Sequence, residues 1–189
     1  AYQGLSAAQG GNQLKLDLSR GKPGAEQLDL SNGLEEAIGG DFFSADGTDT
    51  RNYGGIRGIS EARELGAELM SVPGNEIIAG GNSSLTMMHL VLRTAMDLGL
   101  WGDERRCSDC PTANILTPVP GYDRHFALAE HFGLEMVNVP MNDDGPDMQA
   151  AHELVANDDS IKGIWCVPKY ANPTGCTYSD SVVDAIAAL

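Results

Sequence analysis

Residues 163–175 read Gly-Ile-Trp-Cys-Val-Pro-Lys-Tyr-Ala-Asn-Pro-Thr-Gly, an apolar run that breaks abruptly into turn chemistry. Gly163–Val167 has the length and composition of a buried strand, and Asn172-Pro173-Thr174-Gly175 has the residues that favour a turn. The same theme recurs upstream. Glu76–Ala79 reads as a strand that runs into Gly80-Gly81-Asn82-Ser83-Ser84 and a helix over Leu85–Leu98. Asn114–Leu116 reads as a strand that runs through a Pro- and Gly-bearing loop ending at Tyr122 into a helix over Asp123–Phe132. Met136–Val139 supplies another strand, followed by a helix near Met148–Ala156, and the chain closes with a helix over Ser179–Leu189. Short strands alternating with helices predict βαβ units, hence an α/β fold on a mostly parallel sheet. In such sheets ligands sit at the carboxyl ends of the strands, which is where the unusual loops fall.

Towards the N-terminus the rhythm weakens. Residues 60–72 place Ala62, Leu65, Leu69 and Val72 on one helical face, with Ser60 as expected N-cap and Pro73-Gly74 as the stop. Before that, the first dozen residues are small and polar and read as an arm, Leu14–Leu18 alternates as a short strand would, and loop extends to about Gly55.

The chain has 189 residues, 42% of them hydrophobic and 21% charged, which is an ordinary globular composition. Its 27 acidic residues outnumber 12 Lys and Arg, for a net charge of −15. A surface this acidic repels phosphodiester backbones and anionic lipid, so no nucleic-acid or membrane role is expected. No apolar stretch is long enough for a membrane span, no secretory leader is evident, and four cysteines do not make a disulfide scaffold. A cytoplasmic protein with reduced thiols is the expectation.

Each candidate motif has an ordinary reading beside the functional one. Gly80–Ser84 offers close backbone approach, free N–H groups at a helix start and two hydroxyls, which together suit a phosphate. It also suits a plain Gly-rich turn with a serine cap. Asn172, held at a strand end beside a candidate cis Asn-Pro bond, can donate its amide to a ligand oxygen, or simply shape a turn. Tyr122, fixed by Pro118, Pro120 and Gly121, can stack on a flat heterocycle, or fill a core. Tyr53 lies among Asn52, Gly54 and Gly55 and can anchor a loop. Cys107 and Cys110 form a lone CxxC; a structural zinc needs further ligands, so a surface loop is favoured there and no metal is expected.

Taken in order, these segments resemble the fold-type-I pyridoxal-phosphate (PLP) enzymes, specifically class I aminotransferases. The wording is closest to an atypical branch of aspartate aminotransferases, to which residues 19–24, 49–55, 120–126, 142–148 and 163–175 are all similar. The resemblance implies a three-layer αβα large domain. Residues 1–47 would form an N-terminal arm contributing to a small domain, and residues 48–189 the first part of the PLP-binding large domain. It implies PLP as cofactor, transamination of aspartate with 2-oxoglutarate, and a homodimer with shared active sites. Gly81, Asn82, Ser83 and Ser84 would hold the phosphate, Tyr122 would stack on the pyridine ring, and Asn172 would donate to the phenolic oxygen. Tyr53 would reach the phosphate in the neighbouring subunit, Gly21 would approach the substrate carboxylate, and His125 would partner the aspartate that faces the pyridine nitrogen.

The family's Schiff-base lysine, that aspartate and the carboxylate-binding arginine all follow the Asn-Pro-Thr-Gly segment, and Lys15, Lys22, Lys162 and Lys169 match none of their contexts. The expectation is therefore a truncated N-terminal portion, inactive alone, within a longer or multi-chain enzyme. Two other readings stay open: a PLP-fold binding or regulatory module, and an inactive remnant acting only as a subunit.

Overall fold

The computed structural model describes residues 21, 23–37, 39–99 and 112–189. The predicted strand at Leu14–Leu18, the arm before it and the Cys107/Cys110 loop lie outside the described residues. The chain divides into two compact units, Ala1–Ala79 and Gly80–Leu189.

The first unit contains two short helices where the sequence suggested loop, α1 (Ala25–Asp29) and α2 (Leu34–Ala37), and then α3 (Ser60–Met70). Gln27 folds back to accept a hydrogen bond from the Gly24 N–H at 2.8 Å, which closes the α1 N-terminus. Ser60 is the first helical residue of α3 and Ile59 occupies the cap position, so Ser60 does not cap as expected. Its hydroxyl bonds Glu61 instead, at 3.0 Å. Glu76–Ala79 is not a strand: Glu76 ends a 3-10 turn over Gly74–Glu76. Of the segment's backbone, the Ala79 N–H goes to the Arg57 carbonyl at 3.0 Å, a loop rather than a strand ladder. Among the described residues of this unit no apolar side chain is fully buried.

The second unit carries the predicted alternation: α4 (Ser84–Leu98), β1 (Asn114–Val119), α5 (Asp123–His131), β2 (Glu135–Asn142), β3 (Gly145–Pro146), α6 (Met148–Asn157), β4 (Ile161–Ile164) and α7 (Asp180–Ala187). The sheet order is β3-β2-β1-β4, with β1 parallel to both β2 and β4 and the two-residue β3 antiparallel to β2. Residues 114–118 of β1 are all buried, as a strand covered on both faces must be. Ile115 packs with Ala113, Ala129 and Leu134 beneath Leu92 and Met96 of α4. Leu116 points the other way and packs with Val139, Ala151 and the α6 residues Met148, Leu154 and Val155. The period-2 alternation of one strand thus builds helix, sheet and helix layers. A third cluster, Ala171, Tyr178 and Val182, docks α7.

Two local details shape the strand ends. β1 and β4 pair only from Asn114 to Leu116, so Pro118, which lacks an N–H, falls beyond the end of β4. β4 itself occupies Ile161–Ile164 rather than Gly163–Val167. After Trp165 donates to the Leu116 carbonyl at 3.0 Å, the segment leaves the sheet, and the Val167 N–H turns to the Tyr178 hydroxyl at 3.4 Å. Among the described residues no helix is long and apolar enough to cross a membrane.

Candidate active site

β1 runs out through Pro118, Val119 and Pro120 to Gly121, where the chain has almost no room. A Cβ at Gly121 would lie 2.5 Å from the Pro118 carbonyl oxygen and 2.9 Å from Cζ of Phe126, so only glycine fits. This pinch delivers Tyr122 to the N-cap position of α5. Tyr122 makes no side-chain cap bond; its carbonyl accepts from the His125 N–H at 3.0 Å, and its ring is half-buried.

His125 lies in the first turn of α5 and is 8% exposed. Its ring meets that of Tyr122 edge-on, with centroids 5.2 Å apart and planes at 88°. On its other side it stacks on Trp165 at 4.7 Å and 11°. Burial pushes the His125 imidazole below its ordinary pKa, so at neutral pH it is an uncharged ring.

Asn172 sits on the loop after β4. Three backbone hydrogen bonds close that loop: Tyr178 N–H to the Pro168 carbonyl at 2.8 Å, Ala171 N–H to that of Cys176 at 2.8 Å, and Gly175 N–H to that of Ala171 at 2.5 Å. Asn172-Pro173 is cis, and so is Val119-Pro120, which the sequence did not single out. Tyr122, His125 and Asn172 together line a small cleft of about 20 Å³ with Phe126, Trp165 and Tyr178. It lies at the carboxyl ends of β1 and β4, as the alternation predicts. Burial also raises the Tyr178 pKa, offset in part by the Val167 N–H, so this phenol stays protonated at neutral pH.

The structure places the other predicted residues elsewhere. Gly81, Asn82, Ser83 and Ser84 are exposed at the α4 N-terminus, outside the lining of that cleft. Ser83 is the N-cap, and its hydroxyl accepts from the Thr86 N–H at 3.3 Å. A Cβ at Gly81 would meet nothing within 4 Å, so the loop is open to a ligand. Ser84 also touches a separate apolar cavity of about 410 Å³ under α4, lined by Met87, Val91, Ile115, Leu134 and Trp165. Tyr53, fully exposed, and Gly21, also exposed, belong to the first unit. Among the described residues no three His, Cys, Asp or Glu side chains gather as metal ligands would.

Sequence reasoning missed Trp165 and Tyr178 as cleft residues. The available signal was an aromatic at a strand's carboxyl end, and another aromatic just beyond the Asn-Pro-Thr-Gly turn. Chemically, the donor set suits a flat ring bearing an anion. It offers an aromatic face at Tyr122, an amide at Asn172, and an open helix N-terminus whose first N–H groups lack intrahelical partners.

Comparison with known proteins gives the family. The family model described as aspartate amino-transferase matches residues 1–189. A Mycolicibacterium smegmatis protein carrying the provisional name aminotransferase is 53% identical over 174 residues, covering 90% of this chain and 41% of the relative. An aspartate aminotransferase of Corynebacterium glutamicum is 48% identical over 177 residues, covering 93% of this chain and 41% of the relative. The crystal structure of an aspartate transaminase from the same species superposes with a TM-score of 0.84 at 47% identity, covering 91% of this chain and 41% of that one. The chain thus spans about two fifths of the length of the curated relatives it matches.

Proposed function

The chain belongs to the aspartate aminotransferase family, and from that premise we propose that it forms the N-terminal part of a PLP cradle in a longer or multi-chain enzyme that exchanges the amino group of aspartate with 2-oxoglutarate. The observation that carries the proposal is the meeting of Tyr122 and His125, at the start of α5, with Asn172, on the loop after β4, at one cleft on the carboxyl side of the sheet.

When bound, PLP supplies an electron sink for the charge that develops at the amino-acid Cα. The chain's own residues bind and orient it. Tyr122 presents its ring to the pyridine, and Asn172 donates its amide to the phenolic oxygen. Gly81, Asn82, Ser83 and Ser84 hold the phosphate with backbone N–H groups, hydroxyls and the positive end of α4. His125, kept neutral by burial, partners the aspartate that faces the pyridine nitrogen. Tyr53 reaches the phosphate of a second subunit's site, which makes the assembly a homodimer with shared sites, and the Gly21 backbone approaches the substrate carboxylate.

In this reading residues 1–47 serve as arm and small-domain segment, and residues 48–189 begin the PLP-binding domain. Moving the proton from Cα requires a lysine, and none of Lys15, Lys22, Lys162, exposed on β4, and Lys169, exposed on the loop before Asn172, stands in the family's lysine context. The 189 residues are therefore inactive alone.

The test uses pyridoxamine phosphate, which cannot condense with surface lysines. Equilibrium dialysis against the purified chain is expected to give saturable uptake that Asn172→Ala weakens about tenfold, the loss of one charge-assisted hydrogen bond. An aspartate–2-oxoglutarate assay of the chain alone is expected to give no oxaloacetate. Absence of saturable uptake overturns the cofactor reading, and turnover by the chain alone overturns its dependence on a further lysine.

A further inference from the structure

Three aromatic rings from two stretches of chain, the start of α5 and the end of β4, form a ladder into the cleft. Tyr122 ends the loop after β1, His125 stands on α5, and Trp165 lies just past the end of β4. The outer contact is edge-on at 88° and the inner one nearly parallel at 11°. The inner residue is anchored at its backbone, because the Trp165 main-chain N–H bonds the Leu116 carbonyl at 3.0 Å and so ties it to the centre of the sheet. The indole stands between the cleft and the apolar cavity under α4, since it lines both. Its Nε1–H is buried without a hydrogen-bond partner among the described residues, so the ring keeps this place without a polar bond to fix it.

A histidine in the first turn of a helix can turn about χ1 and χ2. Here an aromatic plane stacked against the imidazole opposes that rotation, and the Tyr122 ring packs at right angles to the imidazole so held. The direction of the Tyr122 ring is thereby referred back, through His125, to the sheet. The residue that sets the plane also belongs to the segment that carries Asn172, seven positions further on.

We propose that Trp165 is a positioning residue of this site: its indole fixes the plane of His125, and through His125 the attitude of the Tyr122 ring on which the cofactor stacks. The inference rests on the cofactor reading given above for the use of the Tyr122 ring, and on the ring geometry alone for the relay. It assigns to the end of β4 two tasks, supplying the Asn172 amide and aiming the stacking ring.

The test compares Trp165→Leu, which keeps apolar bulk but removes the ring, with Trp165→Phe, which restores a ring that can stack on His125. Two quantities are read on the full chain: the dissociation constant for pyridoxamine phosphate, and the NMR ring resonances of Tyr122. Trp165→Leu is expected to weaken binding about three- to tenfold, the range of an aromatic pair, and to displace the Tyr122 signals. Trp165→Phe is expected to recover binding to within about twofold and to return the signals towards their original positions. If the indole merely fills space, Leu and Phe affect binding alike and the Tyr122 signals stay put; that result overturns the proposal. Should the Leu variant not fold, His125→Leu breaks the ladder from its middle and must displace the same Tyr122 signals, or the relay is refuted. If the unmodified chain takes up no pyridoxamine phosphate, the cofactor reading fails, and the Tyr122 resonances alone decide the relay.

Discussion

Replacing Gly121 with alanine adds one methyl group where the backbone and a neighbouring ring already touch. The new Cβ would stand 2.5 Å from the Pro118 carbonyl oxygen and 2.9 Å from Phe126 Cζ, whereas real Cβ atoms keep at least 3.0 Å. The phenyl ring is the end of a side chain and can give way. The carbonyl is backbone at the exit of a buried strand and cannot, so the loop must open by at least about half an ångström. Overpacking of this kind costs about 1–3 kcal/mol. Because Tyr122 is the next residue, the displacement is passed directly to the ring that lines the cleft. Urea unfolding of Gly121→Ala is expected to show a lower midpoint at unchanged slope, together with weaker pyridoxamine phosphate uptake. As a control, Gly163→Ala adds the same methyl group where nothing lies within 4 Å and should change uptake little. Equal midpoints and equal uptake for Gly121→Ala and the unmodified chain would refute the argument that this pinch aims Tyr122.

Three further outcomes follow from the same structure. Leu116→Ala, at a side chain 1% exposed in the cluster with Val139 and Ala151, should cost about 3 kcal/mol in denaturant unfolding. A loss under about 1 kcal/mol would mean that this side of β1 is not packed as described. Ser83→Ala removes the α4 cap bond to Thr86 and should cost about 1 kcal/mol, read as a lower thermal midpoint; an unchanged midpoint would contradict the capping role. His125 titrates below its ordinary value of 6.5 in the folded chain, so below that pH the unfolded chain takes up a proton that the native one refuses. Stability should therefore fall as pH drops from 6.5 towards the lower native value, and His125→Gln should flatten that part of the profile; an equal slope in both proteins would show that His125 is not its source.

The sequence was most legible where one pattern dominated. α4, α5 and α6 matched the spans read from the sequence to within about a residue, and the structure shows Ser83, Asp147 and Ser179 capping α4, α6 and α7. β1 and β2 were found but cut short, because Pro118 and Pro140 look like breaks until the ladder shows that β1 and β2 pair through both. β4 was placed two residues late: its apolar run continues through Trp165 and Val167, but Trp165 makes the last bond to β1, through its N–H to Leu116, and the Val167 N–H turns away to Tyr178. Glu76–Ala79 has strand-like composition without a strand partner among the described residues, and composition alone does not make a ladder. At the candidate site, Tyr122 and Asn172 drew notice because prolines and glycines announce a rigid loop, and both line the cleft. The stacking of Trp165 on His125 was not, since it joins residues forty positions apart through a packing choice that no local pattern encodes.

The first unit's lack of any fully buried apolar side chain among its described residues has a consequence in time. An eleven-residue helix such as α3 is marginal in water without tertiary support, and little in its own segment holds it closed. Its amides should exchange with solvent through frequent local opening, while those of β1, sealed on both faces, wait for the whole second unit to unfold. The two parts of one chain should thus keep different clocks, with α3 opening many times in the interval during which β1, the strand that leads to the cleft, opens once.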